Sequence, residues 1–139
     1  MTRYRTEFFV EQRSGSRSSA EAIAPFVMDL LHPQSILDVG CGVGTWLGVF
    51  RALGVSHLLG VDGDYVDESQ LEIDPSWFQR ADLNAPLRVG RRFDVVISLE
   101  VAEHLPASSA RAFVESLTGS GPAVLFSAAI PLQGGTGPI

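Results

Sequence analysis

Ser35-Ile36-Leu37-Asp38-Val39-Gly40-Cys41-Gly42-Val43-Gly44 decides the fold: an apolar, β-branched run breaks into three glycines spaced two apart, directly ahead of a helical pattern. Ser35 to Val39 has the composition of a central parallel strand, because a strand covered on both faces reads as a continuous apolar run rather than an alternating one. The glycines remove side chains where backbone bends sharply and where a ligand comes close. Asp38 sits at the strand's carboxyl end, the edge of an open α/β sheet at which ligands bind, above all where the strand order reverses.

The glycine spacing narrows the ligand. Position 45 is threonine, so residues 40, 42 and 44 do not complete G-x-G-x-x-G, the turn that sets a pyrophosphate on a helix N-terminus in NAD and FAD sites. No G-x-x-x-x-G-K-[ST] is present, which excludes a P-loop. Thr45 to Leu53 carries Trp46, Leu47, Phe50 and Leu53 on one stripe and closes on Gly54, the pattern of a crossover helix in a βαβ unit. His57 to Val61 reads as the second strand and delivers Asp62, 22 positions after Gly40. That interval is close to the one at which a second strand presents an acid to a ribose. A carboxylate accepts two hydrogen bonds from vicinal hydroxyls. A turn acid ahead of Gly63 is the plainer alternative for Asp62.

Further along, Tyr65 to Pro75 is acidic and unpatterned, a loop with one helical turn at most. Trp77 to Ala81 is a short strand candidate ending in Asp82 and Leu83, where a strand-terminal acid leading into the Asn84-Ala85-Pro86 turn is the bland alternative. Phe93 to Leu99 is the most strand-like run, followed by Glu100-Val101-Ala102-Glu103-His104-Leu105-Pro106. Ala107 to Leu117 places Ala110, Phe113, Val114 and Leu117 at helical spacing behind a Ser108 or Ser109 cap. Gly119 to Gly121 is expected to break that helix, Ala123 to Ala128 to form a fifth strand, and the glycine-rich stretch from Ile130 to be loop. Before the first strand, Ser18-x-x-Glu21 reads as a capping box starting a helix with Ala20, Ile23, Phe26, Val27, Leu30 and Leu31 in period. Pro25 should kink or restart it, and His32-Pro33 should end it. Residues 1–17 form a preceding segment whose Tyr4, Phe8 and Phe9 are apolar enough to fold over a pocket, and 18–139 form the domain.

Composition bounds the class. With 139 residues, 45% hydrophobic and 19% charged, the chain is one ordinary globular domain, and no apolar run reaches the length of a membrane span. The first residues show no secretory pattern, so the expected compartment is the cytoplasm. The single Cys41 cannot form an internal disulfide and is expected as a small residue packed near a ligand. A net charge of -6 argues against nucleic acid as a partner, which needs clustered Lys and Arg. Arg3, Arg5, Arg13 and Arg17 read as solvated.

Asp38-x-Gly40-x-Gly42-x-Gly44, with Phe93-Asp94-Val95-Val96 and the later Leu99-Glu100-Val101-x-Glu103-His104-Leu105, resembles motifs I and IV of the class I S-adenosylmethionine-dependent methyltransferases, particularly their small-molecule branch. The resemblance implies a Rossmann-like α/β fold, a parallel sheet of order 3-2-1-4-5 with helices on both faces, and S-adenosylmethionine as cofactor. It implies a cofactor site made of Asp38, Gly40, Cys41, Gly42, Gly44, Thr45 and Trp46 at the loop and of Asp62 and Gly63 at the ribose. Asp82 and Leu83 fall at the adenine, and Leu99, Glu100 and Val101 at the methyl-donor end. His104 is the candidate catalytic base by residue type, with a structural histidine leading into the next helix as the equal alternative. The implied reaction is in-line transfer to a small-molecule oxygen, nitrogen or carbon, since no N-P-P-[YF] block follows strand four.

The family's helix and β-hairpin after strand five find no match before Ile139. Strand five is then an edge that a loop, the N-terminal segment or a second copy in a homo-oligomer would cover. A non-catalytic cofactor-binding module or partial methyltransferase is therefore an alternative. Glu100, Glu103 and His104 also resemble the Glu-x-x-Glu-His of metal-dependent small-RNA 2′-O-methyltransferases, but that family's further histidine has no counterpart here, and no metal site is expected. An NAD-dependent oxidoreductase is the remaining rival.

Overall fold

A computed structural model describes the backbone of residues 3–129 and the side chains of residues 15–129. The side chains of Tyr4, Phe8 and Phe9, and the loop expected from Ile130, lie outside the described residues. Five parallel strands, β1 (Ser35–Val39), β2 (His57–Asp62), β3 (Phe78–Arg80), β4 (Val95–Leu99) and β5 (Ala123–Ser127), form one sheet of order β3-β2-β1-β4-β5. This is the order that the family resemblance implies. β1 lies at the centre with all five residues buried, which is why its sequence lacks a polar face.

Register sorts the strand side chains into two cores, because alternate residues point to opposite faces. Ile36 lies opposite Leu58 and Val95, and these pack with Ile97 beneath α1 (Arg3–Leu31) and α2 (Thr45–Ala52). Leu37, Val39, Val61 and Val96 face the other way, onto Phe113 and Leu117 of α3 (Ala110–Ser120). No helix joins β3 to β4. Leu83, Leu87 and Val89 of that connection pack against the second core instead.

The first helix departs from its sequence reading. It runs unbroken from Arg3 through Pro25 to Leu31, so Ser18 is an interior residue rather than a cap and the helix does not restart at the proline. Ala20, Ala24 and Val27 are its buried face, while Ile23, Phe26, Leu30 and Leu31 are exposed. Small residues let the helix lie close against α2 over the first core, and the expected stripe is corrected accordingly. Arg17, read as solvated, pairs with Glu21 at 3.7 Å and Glu72 at 3.5 Å, tying α1 to the loop after β2.

Elsewhere the differences are smaller. The acidic loop holds two 3₁₀ turns, Glu68–Gln70 and Pro75–Trp77, each started by an aspartate whose carboxylate accepts from the backbone two residues on. Ala107–Ser109 is also 3₁₀, and α3 continues through Gly119 to Ser120 rather than breaking there. Ser109 stands at the N-cap position but donates to Asn84 Oδ1 at 3.3 Å instead of capping the helix. Among the described residues β5 pairs with β4 alone, and its Val124 and Phe126 are exposed.

Candidate functional site

The chain leaves β1 toward β2 and β3 and returns to β4 on the other side of β1. At the carboxyl ends of these strands opens a cavity of about 1450 Å³, the position an open α/β sheet reserves for a ligand. A cavity of about 290 Å³ between Pro86-Leu87 and α3 lies apart from the strand ends.

The glycine loop forms the cavity floor. Gly40 and Cys41 both donate their N–H to the Val61 carbonyl, at 2.7 and 3.2 Å, which stitches the loop to β2. Gly40 has φ +87°, and Val101 fills the place where a side chain on residue 40 would stand. Gly42, at φ +56°, has nothing within 4 Å of where its Cβ would be, so this bend opens onto free space in the cavity wall. Thr45 and Trp46 line the cavity at the start of α2. Gly44 does not line it. It lies behind the bend against Ile73.

Two carboxylates flank the loop. Asp62 is 1% exposed, its Oδ2 accepting from Gly42 N–H and its Oδ1 from Gly63 N–H, each at 2.8 Å, and from the Tyr65 hydroxyl. Asp38 is 4% exposed and lines the cavity, but no described residue donates to its carboxylate. Burial first, and the neighbouring Asp62 charge second, push its pKa well above the usual carboxylate range. Cys41 is held far above the ordinary thiol range by burial and then by both aspartates, so it stays a thiol. Its Sγ occupies the space that a Cβ on Gly60 would take, so it packs the loop onto β2 while lining the cavity.

The remaining sequence candidates gather around the same space. Asp82 and Leu83 line it, with one Asp82 oxygen accepting from Asn84 N–H at 2.9 Å in a turn. Leu99, Glu100 and Val101 form the wall beyond β4, where Glu100 adopts φ +57° and its N–H donates to Ser127 of β5 at 2.9 Å. His104 lines the mouth with a side chain 75% exposed, its Nε2 3.7 Å from Glu103 Oε1. Glu103 Oε2 is buried without a described partner. Among the described residues, no group of three or more His, Cys, Asp and Glu is placed to hold a metal ion.

Several cavity residues escaped sequence reasoning. Ser16, Ser19 and Ile23 of α1 and Leu125, Phe126 and Ser127 of β5 complete the far wall. Tyr65 and Arg80 are the more consequential omissions. Arg80 projects from the end of β3 over the loop after β2, donating to the carbonyls of Gly63 at 3.3 Å and Val66 at 3.0 Å and to the Glu68 carboxylate at 3.1 Å. The only local signal for Tyr65 was an aromatic residue in an otherwise acidic stretch.

A family model described as a methyltransferase domain matches residues 9–125. The chain belongs to this family. Solved structures agree on the fold of this methyltransferase domain. The sugar N-methyltransferase KedS8 from Streptoalloteichus sp. ATCC 53650 superposes with a TM-score of 0.71 at 20% identity, covering 89% of this chain and 53% of its own. Streptomyces venezuelae DesVI gives 0.69 at 22%, covering 93% and 58%. The amino pentose methyltransferase CalS10 from Micromonospora echinaspora, solved with S-adenosylmethionine bound, gives 0.60 at 18%, covering 94% and 57%. The domain thus spans under two thirds of these chains, and the likeness is one of fold, that of the class I S-adenosylmethionine-dependent methyltransferases. No curated protein matches by sequence. Among the described residues of the domain, no helix is long and apolar enough to cross a membrane.

Proposed function

We propose that this methyltransferase domain, residues 18–139 with 1–17 as a preceding segment, is a cytoplasmic enzyme that binds S-adenosylmethionine and passes its methyl group to a small-molecule acceptor. The observation that carries the proposal is a side-chain-free bend between two buried carboxylates at the sheet's switch point, one of which, Asp38, lacks any described donor. A nearly bare buried carboxylate fits a cationic ligand, and the open space at Gly42 fits a ligand lying flat against backbone. The cofactor supplies a methyl group on a sulfonium whose departure leaves a neutral thioether.

The chain's own residues then have separable tasks. Asp62 takes the ribose hydroxyls, the backbone of 40–43 the methionine side, and Asp38 the cationic end. Asp82 and Leu83 meet the adenine, and Leu99, Glu100 and Val101 enclose the donor end. Holding an acceptor in line does most of the catalytic work, worth up to about 7–11 kcal/mol when the geometry is right. His104, exposed at the mouth, takes a proton from an acceptor that arrives from solvent. KedS8 and CalS10, named for a sugar N-methyltransferase and an amino pentose methyltransferase, support an amino-bearing sugar as the acceptor class to test first.

Isothermal calorimetry with S-adenosylmethionine, S-adenosylhomocysteine and NADH tests the cofactor. Micromolar binding of the first two, lost at least tenfold in Asp62→Ala, supports the proposal, whereas binding of NADH alone would replace it with an oxidoreductase. A cofactor-binding module without turnover is the second reading, favoured by β5, which among the described residues pairs with β4 alone. Formation of S-adenosylhomocysteine in the presence of amino sugars separates the two.

A further inference from the structure

Asp62 is already occupied on the side where a ribose would bind. A carboxylate oxygen has two acceptor positions, and both on Oδ1 are filled, by Gly63 N–H at 2.8 Å and by the Tyr65 hydroxyl. Gly42 N–H takes one on Oδ2 at 2.8 Å, leaving a single position for a ligand. A vicinal diol needs two. The tyrosine ring lies over Gly63, whose absent Cβ would come within 3.0 Å of Cε1 and 3.2 Å of Cδ1. Tyr65 is nevertheless 76% exposed, so its ring can leave without uncovering core.

We infer that the Tyr65 hydroxyl is an internal stand-in for a ribose hydroxyl, holding the diol's second position on Asp62 until a nucleoside carrying both hydroxyls exchanges for it. This rests on Asp62 being the ribose acceptor. In the ligand-free protein the tyrosine hydroxyl gives the buried carboxylate a third donor beside the two backbone N–H groups. In the complex the exchange makes the site read the diol, because a nucleoside lacking those hydroxyls leaves Tyr65 in place and gains nothing from Asp62. Arg80 keeps the change local. Its bonds to the carbonyls of Gly63 and Val66 bracket Tyr65 on both sides, so the side chain turns while the loop backbone stays.

The test is calorimetry on the whole chain with adenosine, S-adenosylhomocysteine and 2′,3′-dideoxyadenosine, comparing wild type with Tyr65→Phe. Removing the competing hydroxyl is expected to tighten adenosine and S-adenosylhomocysteine by about 3- to 30-fold, the share of a charge-assisted hydrogen bond that exchange returns. Dideoxyadenosine should bind both proteins alike. Unchanged or weaker binding of adenosine in Tyr65→Phe overturns the exchange, as does equal tightening of all three ligands, which would mean a merely loosened loop. A structure with S-adenosylhomocysteine bound and Tyr65 still on Asp62 overturns it independently of the variant. Wild-type protein that binds neither adenosine nor S-adenosylhomocysteine removes the cofactor assignment, and this inference with it.

Discussion

Asp38 lies opposite Gly60 in the sheet register, two residues before Asp62, so carboxylates from adjacent parallel strands reach one cavity at different heights, and among the described residues only the second has donors. This asymmetry suits the cationic cofactor of the proposed function: one acid is pre-organised by backbone N–H groups, and the other is left for the ligand to satisfy. Its cost falls on the ligand-free protein.

Asp38 should therefore oppose folding stability. Its pKa is raised in the folded state, by burial and then by Asp62, so the folded protein holds that proton more tightly than the unfolded chain. The stabilisation by that bound proton is full below the ordinary carboxylate value near 3.8 and is lost as pH rises through the raised one, so at pH 7 the penalty of the buried carboxylate is in force. Asp38→Asn is expected to stabilise the ligand-free protein at pH 7 by about 1–3 kcal/mol while weakening cofactor binding. Urea denaturation between pH 4 and 8 checks both sign and window. A variant less stable than wild type at pH 7 would mean that the carboxylate has a stabilising partner.

The contact between Gly40 and Val101 predicts a second, separable effect. Alanine at 40 meets a left-handed backbone, worth about 1–2 kcal/mol, and overlaps Val101, worth about 1–3 kcal/mol more. Val101→Ala in the same chain should recover the second part and leave the first. Thermal melts of the two single variants and the double close the cycle, and strict additivity would show that the two residues do not meet.

How much of this was legible depends on where each signal lives. β1, the glycine bend and the aspartates at positions 38 and 62 could be placed at the cavity because composition and spacing along one short segment determine them. The buried face of α1 could not, since Ile23 lies at the same helical spacing as Ala20 and Ala24, and only the close packing of α1 on α2 selects the alanines. Tyr65 and Arg80 were missed for a related reason. Arg80 bonds carbonyls 14 and 17 positions away, a distance at which no spacing rule operates, and the strand that carries it is three residues long.

Arg80 supplies a prediction of its own. The guanidinium reaches two carbonyls and Glu68 at once, a fork that a lysine ammonium cannot reproduce. Because the side chain is 37% exposed, Arg80→Ala should cost under about 1 kcal/mol of stability. Its effect should appear in the cofactor KM, raised severalfold with kcat nearly unchanged, and Arg80→Lys should not restore it. Steady-state kinetics in varied S-adenosylmethionine measures the split. A drop in kcat at constant KM would place Arg80 in the chemistry instead of in the loop.

His104 offers the reverse signature. Its side chain stands largely in solvent at the cavity mouth, 3.7 Å from Glu103, so truncation disturbs little packing, and His104→Gln should keep stability within about 0.5 kcal/mol of wild type. Cofactor affinity should also be unchanged, because the proposed role of His104 is toward the acceptor and not the cofactor. Turnover with an acceptor that must lose a proton should fall by about 10²- to 10⁴-fold, the usual worth of a positioned base. The decisive comparison is kcat for His104→Gln against calorimetric affinity for S-adenosylhomocysteine in the same preparation. Turnover preserved alongside intact binding would make His104 the structural lead into α3 and leave positioning as the whole of the catalysis.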